Sequence, residues 1–307
     1  MIIVTGGAGL IGSHLVQALN QKGFKDIIIV DDLTDGTKIK NLTELTFLDY
    51  LDCTEFYKPD IMEKLIRMSK VLFHQGANSN TTEWNGKSIL LSNYSCSKQL
   101  LEQCSTFNVP FIYASSASVY GNSKLFSIEP SNEHPLNPYA FSKWQFDRYV
   151  AMNGPFNCPV AGLRYFNVYG PNETHKKNQA SPFTQFLKQY NEYGFVKVFE
   201  GSENFHRDFI SVFDVVKVNL FMWQKHISGL FNVGTGKTNS FLDVAHLITN
   251  KVKEIPFPEH LKGVYQDYTC ADITSLRKCG FDSPFLNIKE GYKKMITTDQ
   301  IKDPIGV

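Results

Sequence analysis

The sequence has 307 residues, with 31 Lys and Arg against 30 Asp and Glu, 42% apolar residues and 13% aromatic ones, which excludes a disordered, fibrous or collagen-like chain. A formal net charge of +1 excludes the long-range positive field of a nucleic-acid or anionic-membrane binder, so neither partner is expected. No apolar run approaches the roughly 18 residues that span a bilayer, and Ile2-Ile3-Val4 breaks at once into Thr5-Gly6-Gly7 instead of continuing as a signal segment, so a cytoplasmic protein with a small-molecule partner is expected.

The length exceeds the size at which one hydrophobic core stops growing, and the elements in chain order divide it unequally. Residues 1–5, 26–31, 45–49, 70–74 and 111–115 are short apolar or β-branched runs bounded by turn or polar residues, and they predict buried strands. Between them, 11–22 and 93–108 carry apolar residues three or four apart and predict helices. Alternating strands and helices predict an α/β protein, a Rossmann-like doubly wound parallel sheet covered on both faces, with ligands beyond the carboxyl ends of its strands. Past Gly170-Pro171 the alternation stops in a polar stretch rich in Asn, Lys, His and Gln. The expectation is a dinucleotide-binding lobe over 1–168, with returns at about 208–236, and a smaller substrate-binding lobe over most of 169–307. The six cysteines form no Cys-x-x-Cys pair and no His-Glu-x-x-His occurs, so free thiols and no structural metal are expected.

Strand one ends in Thr5-Gly6-Gly7-Ala8-Gly9-Leu10-Ile11-Gly12, a Gly-x-x-Gly-x-x-Gly spacing that runs directly into a helix pattern. Glycines there allow a tight turn and close backbone approach, so a pyrophosphate can rest on the free N–H groups of a helix N-terminus. About 20 residues on stands Asp31, at the end of the second strand, where an acidic side chain bonds a ribose hydroxyl. Asp31 and Asp32 suit NAD; Lys38 in Asp35-Gly36-Thr37-Lys38 is either a cation for the extra phosphate of NADP or a solvated loop lysine.

Tyr139-Ala140-Phe141-Ser142-Lys143 follows Asn137-Pro138 in a stretch whose spacing predicts helix, which sets Lys143 on the same face as Tyr139. A nearby cation favours phenolate, and moving a tyrosine from about 10 toward about 7 requires roughly 4 kcal/mol. Tyr94/Lys98, Tyr120/Lys124 and Tyr193/Lys197 share the spacing. Glycine follows Tyr120 and Tyr193, and Tyr94 lies early in an ordinary packing helix. Tyr139 alone lies downstream of a strand ending in Ser115-Ser116, whose hydroxyls can reach the same reacting oxygen.

Together with Ser116-Ala117-Ser118-Val119-Tyr120-Gly121 and Arg164-Tyr165-Phe166-Asn167-Val168-Tyr169-Gly170-Pro171, these motifs resemble the extended short-chain dehydrogenases/reductases that act on nucleotide sugars. Within them the chain is similar to the ADP-L-glycero-D-manno-heptose 6-epimerase family through Asp35 to Lys38, Ser79-Asn80-Thr81-Thr82-Glu83-Trp84, Phe199 to Phe209 and Phe231 to Gly236. The resemblance implies an isomerase that inverts carbon six of an ADP-heptose for lipopolysaccharide inner core, through a transient ketone and with bound NADP. It implies Tyr139 as proton acceptor, Lys143 beside it, Ser116 on the reacting oxygen, and Lys176 as a second acid/base, with His175 and Lys177 as neighbouring alternatives. It places Gly6, Gly9, Leu10, Ile11, Gly12, Asp31, Asp32, Lys38, Gln75, Gly76, Ala77, Asn78, Ser79, Lys143, Val168 and Lys176 on the cofactor. It places Ser116, Asn167, Asn178, Gln185, Phe199, Glu200, Gly201, Ser202, Arg207 and Tyr265 on the substrate, and it implies a homo-oligomer.

The chain departs from the family at Asp32, where Asn is usual, at Cys53, where a lysine is usual, and at Gln75, where Glu is usual. The first two remove positive potential and bring NAD forward as cofactor. Ala117 and Ser118 stand where dehydratases carry an acidic pair. A 4-epimerase, or a non-catalytic dinucleotide sensor, are the competing readings.

Overall fold

The computed structural model describes residues 1–259 and 266–302. In chain order β1 (Ile2–Thr5) leads into α1 (Leu10–Gln21), β2 (Ile27–Asp31) and β3 (Asp49–Asp52), then α2 (Cys53–Phe56) and α3 (Pro59–Arg67). β4 (Leu72–His74), α4 (Gly86–Leu90), α5 (Cys96–Thr106), β5 (Phe111–Ser116), α6 (Pro138–Asn153) and β6 (Val160–Tyr165) follow. Beyond them come β7 (Asn167–Tyr169), α7 (Pro182–Tyr193), β8 (Val196–Phe199), β9 (His206–Arg207), β10 (Phe209–Ser211), α8 (Val212–Gln224) and β11 (Gly229–Val233). β12 (Asn239–Ser240), α9 (Phe241–Ile248), β13 (Val252–Ile255) and β14 (Tyr268–Thr269) precede the last helices.

Seven parallel strands form the main sheet in the order β11-β6-β5-β4-β1-β2-β3. β1, β2, β4 and β6 are buried along their whole length, as near-continuous Ile, Val, Leu and Phe runs require when both faces are covered. One face packs on α1 and α8 through Leu15, Val16, Leu19, Val215, Val218 and Met222. The other packs on α3, α5 and α6 through Ile66, Leu100, Leu101 and Phe146. The winding reverses between β1 and β4, so the loops after these strands diverge and leave a crevice at their carboxyl ends. A third cluster, with Tyr169, Phe183, Phe186, Val196, Val198, Phe209 and Val244, lies among α7, α9, β8 and β10.

The third strand differs from its sequence prediction, occupying Asp49–Asp52 and not 45–49. Asn20 captures both backbone groups of Thr46, accepting its N–H at 2.8 Å and donating to its carbonyl at 2.7 Å, which removes them from the ladder. Leu45 and Phe47 meanwhile pack against the core from the loop. The helix expected over 93–108 begins with one wide turn, Leu91–Ser95, before α5. There Asn93 is buried, accepting the Asn78 N–H at 2.8 Å and donating to the Asn78 carbonyl at 2.9 Å and to Ser142 Oγ at 3.1 Å. Among the described residues no helix is long and apolar enough to cross a membrane, and no cluster of His, Cys, Asp or Glu is suited to a metal ion.

Candidate active site

At the end of β1 the chain turns through Gly6, whose φ of +66° lies in the left-handed region. A Cβ on Gly6 would stand 2.6 Å from the Gly76 nitrogen, so the loops after β1 and β4 meet backbone to backbone. Gly9 caps α1 without any side-chain hydrogen bond, and the first helical turn, which contains Leu10, Ile11 and Gly12, holds no acidic residue. The N–H groups there stay available to an anion. A Cβ on Gly12 would lie 2.1 Å from the Gly6 carbonyl oxygen. Gly12→Ala is therefore expected to destabilise the chain by about 1–3 kcal/mol and to weaken dinucleotide binding at least tenfold, as read by thermal unfolding and calorimetric titration.

Asp31 is buried, and its carboxylate accepts the Ala8 N–H and the Asp32 N–H, each at 2.8 Å, and the Lys38 ammonium at 2.8 Å. Lys38 also donates to the Asp32 carbonyl at 2.9 Å. Lys38, which the sequence leaves as either a phosphate ligand or a solvated loop lysine, is thus held by the aspartate that orders the glycine turn. Two hydrogen bonds from Thr34 hold the Asp32 carboxyl below its ordinary pKa. Cys53 opens α2 beside them, and burial followed by the charges of Asp31, Asp52 and Asp32 pushes its thiol up to about 12.

After β4, Gln75 turns its amide into the protein, donating to Asn219 Oδ1 at 3.0 Å and accepting the Tyr165 hydroxyl at 3.0 Å. Its side chain joins the loop to α8 and β6, and its backbone N–H donates to the Thr5 carbonyl at 3.0 Å. The Gly76 N–H donates to Thr5 Oγ1 at 3.2 Å. Ala77, Asn78 and Ser79 continue the loop, and Asn93 fixes it at Asn78.

Pro138 starts α6, and Asn137 caps it by accepting the Ala140 N–H at 2.8 Å. Tyr139 is half-buried and hydrogen-bonded with Ser116; burial raises its pKa, and the Ser116 hydroxyl pulls it back. Lys143, one turn on, is 4% exposed and donates to the Ala114 carbonyl at 2.8 Å. Burial lowers its pKa to about 8 against the pull of Asp147. In this structure the depression of Tyr139 expected from Lys143 is thus replaced by an upward shift from burial. Ser116 Oγ accepts the Ser118 N–H at 3.1 Å and its hydroxyl at 2.9 Å.

The competing tyrosines sit elsewhere. Tyr120 is fully buried and donates to Asn232 at 2.7 Å. Tyr94 lies in the wide turn before α5, and Tyr193 ends α7 with Lys197 already in β8.

Lys176 belongs to the short helical segment Thr174–Gln179. Lys177 forms an ion pair with Asp35 at 3.4 Å, His175 Nδ1 lies 3.5 Å from the Asn41 amide, and Gln179 donates to Asn80 at 2.7 Å. Asp35 and Asn41 follow β2 and Asn80 follows β4, so the segment bridges the carboxyl end of the strand between them, β1. Burial, then Lys176, lowers the His175 pKa to about 4. Lys176 Nζ faces Glu173 Oε1 at 3.9 Å; the Glu173 side chain is buried, and its other oxygen accepts the Ser181 N–H at 2.6 Å and the Thr184 hydroxyl at 3.1 Å.

Phe199, Ser202 and Gln185 line a cleft of about 320 Å³ with Phe205, Phe241 and Ile255. Glu200 and Gly201 form the turn between Phe199 and Ser202, with Gly201 at φ +78°. Gln185 donates to the carbonyls of Asn178 at 3.1 Å and Ala180 at 2.6 Å. Arg207, 7% exposed, donates to the carbonyls of His206 at 3.0 Å and of Gln266, and its guanidinium lies 5.5 Å from the Phe241 ring centroid. Asn167 and Val168 pair in parallel with Phe209 and Ile210. Tyr265 lies outside the described residues.

Residues 2–234 match the NAD dependent epimerase/dehydratase family. The chain belongs to that family. Among solved structures, this epimerase/dehydratase-family chain is 30% identical to the ADP-L-glycero-D-manno-heptose-6-epimerase of Helicobacter pylori, over 97% of this chain and 95% of that one, with a TM-score of 0.86. A UDP-glucose 4-epimerase of Thermotoga maritima, solved with UDP-glucose, is 27% identical over 98% of each chain, with a TM-score of 0.81. A UDP-N-acetylglucosamine 4-epimerase of Methanobrevibacter ruminantium M1, solved with UDP-N-acetylmuramic acid, is 25% identical over 97% of this chain and 98% of that one, with a TM-score of 0.82.

Sequence reasoning missed the support behind the tyrosine and lysine. Asp147 receives the Tyr113 hydroxyl at 3.0 Å, the Ser115 hydroxyl at 2.8 Å and Arg164 Nε at 2.9 Å. The available signal was Arg164 itself, a charged residue inside the otherwise apolar run of β6.

Proposed function

We propose that this chain epimerises ADP-D-glycero-D-manno-heptose to ADP-L-glycero-D-manno-heptose at carbon six, a step toward lipopolysaccharide inner core. The nucleotide is assigned to the cleft of Phe199, Ser202 and Gln185, with Arg207 toward the pyrophosphate, a role suited to a planar guanidinium. The glycine turn, the unobstructed start of α1 and the Asp31 carboxylate fit a dinucleotide. When bound, it supplies reversible hydride acceptance at the sugar carbon. Tyr139 takes the hydroxyl proton, Ser116 hydrogen-bonds the oxygen as charge develops, and Lys143 supplies positive potential beside the phenol.

Inversion presents the opposite face of the carbon, so a second proton carrier on a different element is required. The observation that carries the reading is Lys176, on a bridging segment separate from α6 and steered by a buried carboxylate. The likeness to the Helicobacter pylori enzyme supports the same substrate.

For the cofactor, the acidic edge supports NAD over NADP. Asp31, Asp52 and Asp32 lie around Cys53, and the one lysine there, Lys38, is already held by Asp31, a poor setting for a phosphate dianion and a good one for a ribose diol. The likeness to UDP-glucose 4-epimerase supports a 4-epimerase as the second reading. One experiment separates these: the purified chain is offered ADP-heptose and UDP-galactose after its retained dinucleotide is identified by mass spectrometry. Inversion of ADP-heptose with NAD retained is expected. Turnover of UDP-galactose alone supports the 4-epimerase, retained NADP overturns the cofactor assignment, and no turnover of either sugar supports a dinucleotide sensor.

A further inference from the structure

Behind Tyr139 and Lys143 lies a buried charged network that neither the epimerase chemistry nor the glycine fold requires. Arg164 on β6 is 0% exposed; its Nε meets Asp147 at 2.9 Å, one terminal nitrogen meets Glu133 at 2.6 Å and the other meets the Tyr120 hydroxyl at 3.2 Å. Tyr120 in turn donates to Asn232 of β11 at 2.7 Å. Each bond to the Asp147 oxygens comes from a donor, Tyr113, Ser115 or Arg164, which is the shell of a carboxylate and not of a carboxylic acid. Burial raises the Asp147 pKa, and the Arg164 guanidinium with these hydroxyls pulls it back.

The charge balance is informative. Two carboxylates around one guanidinium leave one negative charge inside the protein, a costly arrangement unless a further cation compensates it. Lys143 stands one helical turn before Asp147 on α6 and is itself 4% exposed. We propose that Asp147, held by Arg164, which Glu133 anchors from its other side, is a positioning residue that keeps Lys143 as an ammonium on the Ala114 carbonyl beside Tyr139. This rests on the reading of Lys143 as the cation of the reaction.

The other groups facing Lys143 cannot do this. His74 of β4 is held neutral, bonded to Thr5 at 2.6 Å and Ser97 at 2.8 Å, with burial and then Lys143 lowering its pKa to about 3. Tyr113 of β5 is a buried phenol whose pKa burial and Asp147 raise, and burial likewise raises that of Tyr139. Arg164 is a cation and opposes a second one. Asp147 alone of these supplies the upward pull on the lysine.

The test is an NMR titration of isotopically labelled lysine in the full chain, with the Lys143 resonance assigned by its loss in Lys143→Met. In Asp147→Asn the Lys143 midpoint is expected to fall by about one pH unit or more, because an anion favouring the charged form is gone. Glu133→Gln, at the outer end of the network, is expected to shift it less in the same direction, and it serves if Asp147→Asn does not fold. A midpoint unchanged in either folded variant overturns the proposal. The titration needs no substrate, so its failure is distinct from a failure of the epimerase reading, which only turnover decides.

Discussion

Tyr139→Phe is expected to lower turnover by about 10²–10⁴-fold while leaving dinucleotide and nucleotide-sugar binding within a few-fold of the parent, measured by product formation and calorimetric titration. The substitution removes one oxygen from a half-buried ring whose position is set by the Asn137 cap and the Pro138 start of α6, so the backbone has no reason to move. It deletes the only atom assigned to accept the proton and leaves the Ser116 hydroxyl without its phenol partner. The pH profile has a defined sign. Burial raises the Tyr139 pKa, so phenolate and activity grow as pH increases, until Lys143, held at about 8, loses its proton and the positive potential fails. A rising limb that levels off above about 8, where loss of the ammonium offsets the continuing gain in phenolate, is the expected shape. Near-normal turnover in Tyr139→Phe sinks the assignment of the proton acceptor.

The second large effect is expected at Lys176. Lys176→Met should cut formation of the inverted sugar by about 10²–10³-fold, within the usual worth of a positioned proton carrier, while oxidation of the sugar carbon persists. The reduced dinucleotide absorbs in the near ultraviolet, so oxidation and inversion are measured separately in one sample. Methionine keeps much of the length of lysine, and the contacts of Asn41, Asp35 and Asn80 with His175, Lys177 and Gln179 do not involve Lys176. The bridging segment is therefore expected to hold its place. Inversion at the parental rate in Lys176→Met moves the second proton carrier to another residue, with His175 the weaker candidate because burial and Lys176 keep it neutral at ordinary pH.

The parts of this molecule that were legible in its sequence are those whose causes are local. Gly6, Gly9 and Gly12 announce a turn because their spacing lies within a few residues of chain and a Cβ on Gly12 would strike the Gly6 carbonyl, and Tyr139 and Lys143 announce a shared helix face because four residues make one turn. The third strand was misplaced because its position depends on Asn20, a residue 26 positions from Thr46. Gln75 looked like a loop residue free to meet a cofactor, yet its amide is held by Asn219, 144 positions away. Arg164, Asp147 and Glu133 were opaque for the same reason, since their pairings span 17 and 31 positions and no periodicity encodes them. The family motifs pointed to Tyr139 and Lys143 but not to the buried side chains packed behind them.

The separation of the hydrophobic clusters bears on how this protein can change. The packing around Phe183, Phe186, Val196 and Val198, which carries the cleft proposed for the nucleotide, shares no residue with the two clusters that clamp the main sheet. Substitutions at Phe199 therefore act on a body that can be reshaped without disturbing the glycine turn, and their energetic effects should sum with those of changes near Gly12 or Asp31. A new preference for the sugar-borne base is thus reachable one substitution at a time, whereas altered hydride chemistry would require coordinated change across β1, β5 and α6.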